Sequence, residues 1–128
     1  MAMNFKLIKP PRTFKVGKKD NSITIKDCAH IKIEPEEQIT FETENGAEYD
    51  IVRKDWGFYA TPSLNSRLTK FGLKAVLIRS QDHKYYIFIV EKGKEDSFQA
   101  YLNSEGHKIV SWMDRDDILK QIEDKINL

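Results

Sequence analysis

A chain of 128 residues with 40% hydrophobic and 32% charged side chains has the length of one domain and enough apolar surface to build a core. Its longest purely apolar run, Tyr85 to Val90, is six residues, well below the roughly 20 that a membrane helix needs. The start, MAMNFKLIKPPR, lacks the apolar centre of a signal peptide, and Cys28 is the only cysteine, so no intrachain disulfide forms; a soluble cytoplasmic protein is expected.

The net charge of +1 is unevenly spread. Residues 1–20 carry six Lys/Arg against one acid, residues 34–50 carry seven acids and no base, and residues 52–84 carry seven bases against two acids. Such blocks are solvated faces or complementary contacts between subunits or partners. They do not add up to a basic domain, and the acidic block would repel phosphate, so nucleic acid is not expected as a partner.

In chain order, residues 5–16 read as two extended pieces joined by a stiff bend at Pro10-Pro11. Gly17 to Asn21 is a polar turn. Residues 22–33 alternate, with Ile23, Ile25, Ala29, Ile31 and Ile33 on one face; Asp27 falls on that same face, which predicts a bulge or break near it. Residues 38–53 read as a hairpin. A two-residue Asn45-Gly46 loop would mismatch the apolar faces. A three-residue loop, Glu44-Asn45-Gly46, pairs Thr43 with Ala47, Phe41 with Tyr49 and Ile39 with Ile51.

Residues 49–68 begin as a strand and are expected to break into a long loop. Two apolar strands follow, 73–79 and 84–91, with apolar residues on both faces, so they belong in the middle of a sheet or in a layer covered on each side. Residues 95–105 read as a helix stopped by Gly106, and 107–112 as a strand. A final helix, capped by Asp114 with Asp116 and Asp117 in its first turn, should dock by Ile118, Leu119, Ile122 and Ile126. The order predicts an α+β fold: an antiparallel β roll or sandwich in the N-terminal part, and strand–helix–strand–helix in the C-terminal part. No linker interrupts it. A single domain 1–128 is expected, β-rich over 1–92 and mixed helix and strand over 93–128.

The six glycines are scattered, which excludes the closely spaced glycines of a phosphate-cradling loop. His30, His83 and His107 stand apart; only Cys28 lies near one of them, and two neighbouring ligands do not make a metal site, so neither metal nor cofactor is expected. Cys28 beside His30 is better read as a small half-buried residue next to a surface histidine than as a nucleophile. The 54–67 segment carries the strongest candidate surface: Lys54, Trp56, Tyr59, Asn65 and Arg67. Trp and Tyr offer stacking area, and Arg67 a forked donor for carboxylate or phosphate. The structural alternative is that Trp56, Phe58 and Tyr59 plug the end of the β-rich part while Arg67 bridges to the acidic hairpin.

The leading expectation is a non-catalytic binding or assembly module, possibly a homodimer, with an unknown small molecule or protein as its partner at the 54–67 loop. The rival is a small metal-independent carbohydrate or sugar-nucleotide-modifying enzyme, isomerase- or epimerase-like, with His30 moving protons beside that loop. A third, single-stranded nucleic-acid binding, needs exposed aromatics along a basic groove.

Overall fold

The structure, a computed structural model, describes residues 4–17 and 22–127. It is a mixed α+β protein with antiparallel sheets and three short helices. The chain divides into two compact units: residues 1–39 with 51–59, and residues 40–50 with 60–128. Strands dominate as far as Glu91. After it come helix, strand and helix, the order read from the sequence.

The first unit contains a two-stranded ribbon of β1 (Asn4–Val16) and β2 (Ile23–Lys32). Phe5 faces Ile31, Leu7 faces Ala29, Phe14 faces Ile25 and Val16 faces Ile23. Register slips between the Leu7–Ala29 and Arg12–Asp27 pairs, where β1 contains Pro10 and Pro11. The irregularity expected near Asp27 is therefore present, and the surplus residues lie on β1, because proline cannot supply the ladder with N–H groups. Phe5, Leu7, Phe14, Ile23 and Ile25 are all exposed. The polar turn expected over 17–21 lies outside the described residues beyond Gly17.

A three-stranded sheet follows, β3 (Gln38–Glu42), β4 (Glu48–Lys54) and β5 (Gly57–Ala60), in that order. The β3–β4 turn is the three-residue loop: the Thr43 N–H donates to Ala47 O (3.0 Å), the Gly46 N–H donates to Thr43 O (3.0 Å), and Gly46 has φ +89°. Glycine reaches that region without the clash that Cβ imposes on other residues. Thr40 Oγ1 donates to Asp50 Oδ1 at 2.6 Å on the same register.

The segment after Lys54 departs from expectation. It is a second tight hairpin rather than a long loop, turning through Asp55 and Trp56 with Gly57 at φ +146°. The irregular backbone is confined to 61–66, ahead of the short helix α1 (Arg67–Lys70). A glycine directly after the turn lets the backbone reverse within two residues, and aromatic Phe58 and Tyr59 suit the returning strand.

The second unit holds the core. Its sheet runs β7 (Tyr85–Glu91), β6 (Leu73–Arg79), β8 (Lys108–Trp112), all antiparallel. Central β6 is covered on both faces. Leu73 and Ala75 pack with Ala47, Leu68, Tyr49, Ile89 and Met113. Val76 and Ile78 pack with Val90, Leu102, Phe88, Phe98, Ile109 and Trp112. Leu102 and Phe98 come from α2 (Glu95–Glu105), which stops at Gly106 in the left-handed conformation, φ +71°. Helix α3 (Asp116–Ile126) corrects the expectation in two respects. Its N-cap is Arg115 rather than Asp114, and Ile126 is exposed while Ile118, Leu119 and Ile122 are half-buried. No helix among the described residues is long and apolar enough to cross a membrane.

Candidate functional site

The five residues singled out by sequence fall into different units. Lys54, Trp56 and Tyr59 belong to the first, Asn65 and Arg67 to the second.

In the first unit the β4–β5 hairpin presents an aromatic tip. Trp56 is 68% exposed, Phe58 63% and Tyr59 44%. The alternative, that these rings form a plug, is thus not what the exposures show. Trp56 and Tyr59 stack with centroids 6.1 Å apart and planes 21° from parallel. Arg53, which sequence reasoning passed over, places its guanidinium 5.8 Å from the Phe58 ring centre. The Arg53 Nη1 atom is buried without a hydrogen-bond partner in the structure. Lys54 is engaged at the base of the hairpin, with Nζ 2.7 Å from Glu36 Oε1. The hydrogen bond to Glu36 raises its pKa above the ordinary lysine range, and burial opposes the rise.

In the second unit Asn65 Nδ2 donates to Asp116 Oδ1 at 2.7 Å, tying the 61–66 segment to the first turn of α3. Ser63 Oγ accepts from the Arg67 N–H at 3.0 Å, just ahead of α1, whose N-cap is Ser66. The Arg67 guanidinium lies 5.2 Å from the centre of the Phe71 ring, a cation–π contact in place of the expected bridge to the acidic hairpin.

His30 is exposed on β2 and its Nε2 lies 2.9 Å from Asp27 Oδ2. Arg12 Nε donates to the same carboxylate oxygen at 3.0 Å. Asp27 is accordingly held below the usual carboxylate range, by the His30 hydrogen bond first and the Arg12 hydrogen bond second. A shallow hollow of about 420 Å³ beside His30 is lined by Asn4, Lys6, Ile31 and Lys32, none of them from the hairpin tip. Cys28 is exposed, with Sγ 3.5 Å from Lys26 O. A carboxylate that orients an imidazole is a recurrent part of proton-transfer sites, and Asp27 was not foreseen in that role.

Comparisons with known protein families, with curated proteins and with solved structures find no match.

The chemistry at the tip is therefore read from the side chains alone. The exposed Trp56–Tyr59 stack gives apolar contact area at low conformational cost, while Phe58, on the other face of β5, lies against the Arg53 guanidinium. A second hollow, about 430 Å³, opens in the second unit beside Gly46, Glu48, Lys70, Phe71 and Lys92, and Asn45 Nδ2 donates to Glu91 Oε2 there at 2.7 Å. Neither periodicity nor spacing signalled it, because its walls come from segments far apart in the chain.

Proposed function

We propose that this protein is a soluble, cytoplasmic, non-catalytic binding or assembly module, folded as one domain, whose recognition element is the tip of the β4–β5 hairpin. The observation that carries the reading is the outward presentation of Trp56, at 68% exposure, stacked on the exposed Tyr59. Trp, Tyr and Arg dominate the energetics of protein interfaces, because they bury much area for few rotors and add one directed polar contact. The partner is a protein surface, a second copy of the chain included. The reading keeps an antiparallel roll or sandwich for the N-terminal strands. The test is sedimentation equilibrium and partner cross-linking on the parent and on Trp56→Ala. Loss of association with an unchanged melting midpoint supports the reading. Identical association by both proteins would remove the hairpin tip from it.

A second reading, a metal-independent enzyme acting on a sugar or sugar nucleotide with His30 and the 54–67 loop, rests on the Asp27–His30 pair alone, since no hairpin-tip residue lines the hollow beside His30. There His30 is the general base and Asp27 orients it. Turnover of a sugar-nucleotide panel, abolished in His30→Asn, would establish it over the first.

A further inference from the structure

We propose that the exposed Trp56–Tyr59 stack receives the Lys9-Pro10-Pro11-Arg12 segment of a second copy of the chain. This inference rests on the hairpin-tip reading and names the partner of that same surface. The Thr61 N–H donates to Asp50 O at 3.1 Å, continuing the β4–β5 ladder and setting Phe58 across from Arg53 and Tyr59 across from Val52. Side chains alternate along a strand, so Val52, Lys54 and Tyr59 share one face, and Phe58 lies on the other against the Arg53 guanidinium. Trp56 joins the Tyr59 face through the stack, and both rings keep open area there. The charge around the stack is net negative. Lys54 is neutralised by Glu36, while Asp55, exposed in the turn, forms no ion pair among the described residues.

The occupant is read from the β1–β2 ribbon. Ile8, Lys9, Pro10 and Pro11 of β1 face Cys28 alone on β2, between the Leu7–Ala29 and Arg12–Asp27 pairs, so this segment leaves the ladder. Adjacent prolines have no N–H to donate, so backbone hydrogen bonds to an added strand cannot hold the stretch. It offers rings instead. A pyrrolidine ring is rigid and apolar, its φ is already fixed, and aromatic-lined surfaces are what proline segments dock against in peptide recognition.

Charge selects this segment over a neutral one. Lys9, Pro10 and Arg12 are exposed. Arg12 is tied to Asp27, whereas Lys9 forms no ion pair among the described residues. An ammonium placed beside the faces of Trp56 and Tyr59 is attracted by the ring quadrupole, and Asp55 supplies the opposite charge at the same edge. Stack and segment belong to the same unit, yet Trp56 remains 68% exposed within one chain. The contact is therefore made between copies, the tip of one on the segment of the other, and made both ways it closes a pair.

The experiment is sedimentation equilibrium of the full chain. The proteins are the parent, Trp56→Ala, Lys9→Glu, and a variant carrying both Pro10→Ser and Pro11→Ser; each is run alone, and Trp56→Ala is then mixed with each of the other two variants. The expected result is self-association by the parent that weakens by about tenfold or more in every variant. Mixing should recover it, because Trp56→Ala still carries the segment while the other two still carry the aromatic stack. Lys9 is exposed, so Lys9→Glu decides the matter where the proline variant melts below the parent. Weakening by Trp56→Ala alone would overturn the inference and leave the hairpin-tip reading standing. Loss in every variant without recovery on mixing would also overturn it, since tip and segment would then not be partners. A parent that stays monomeric overturns it as well, and cross-linking to a different protein, lost in Trp56→Ala, then decides the hairpin-tip reading separately.

Discussion

Single residues set the conformation and the acid response of both hairpins. Gly46 sits at φ +89° with open space where a Cβ would go, so Gly46→Ala meets a backbone penalty and no collision. We expect a loss of about 1 kcal/mol in denaturant unfolding; an unchanged midpoint would show that the three-residue turn tolerates an L side chain. Two carboxylates respond to pH with opposite sign. The folded pKa of Asp27 is depressed by His30 and Arg12, so its stabilising contribution is complete above the unfolded value of about 3.9 and is lost as the pH falls through the folded one. Glu48 is raised, chiefly by its hydrogen bond with Glu42 and then by burial, so its ionisation opposes folding as the pH climbs from the unfolded value of about 4.3, and does so in full above the folded one. Asp27→Asn should therefore lower the melting midpoint at neutral pH and flatten the acid limb. Glu48→Gln should raise the midpoint at neutral pH, with the gain vanishing below about pH 4.3. Melting curves across that range decide both.

Among the elements, helices differ in what they bury. Leu102 of α2 is fully buried against Val76, Ile78 and Val90, whereas Ile122 of α3 is only half-buried. Leu102→Ala should cost about 2–5 kcal/mol, and Ile122→Ala about 1 kcal/mol. Equal losses in equilibrium unfolding would contradict the difference in burial. The same contrast explains what the sequence revealed. Strand β6 and helix α2 were placed by long apolar periodicity and by Gly106. The β3–β4 register was legible because only one loop length aligns Phe41 with Tyr49. Strand β5 was not, since four residues, two of them aromatic, show no alternation to read. Asn65 was singled out as a candidate contact, but its partner Asp116 lies 51 positions away, and no local pattern announces a hydrogen bond over that separation. The acidic pair at the α3 start was visible in sequence; Arg115, which depresses the Asp117 pKa by hydrogen bonding, was overlooked in favour of Asp114.

On the scale of the whole molecule, apolar burial is unequal. Among the described residues, every fully buried apolar side chain belongs to the second unit, while the β1–β2 ribbon exposes most of its own. A two-stranded ribbon has little independent stability. Hydrogen exchange should thus be slowest at the amides of β6 and fastest along β1–β2; comparable protection in both would contradict this reading of the core. Strand β7 carries a different consequence. Among the described residues it ends its sheet, hydrogen-bonded to β6 alone, and Tyr85, Tyr86 and Ile87 are exposed along it. The six residues from Tyr85 to Val90 contain no charge, proline or glycine, which is the composition of a segment that stacks into cross-β fibrils. Lys84 before it and Glu91-Lys92-Gly93-Lys94 after it are the flanking charges that hold such segments apart. Ile87→Lys should delay thioflavin-positive fibril growth under mild denaturing conditions without lowering the melting midpoint, and an unchanged lag time would place nucleation elsewhere. The edge strand of this sheet thus joins exposed aromatics to the composition of an aggregating segment, with a lysine at one end and a charged turn at the other to oppose edge-to-edge pairing.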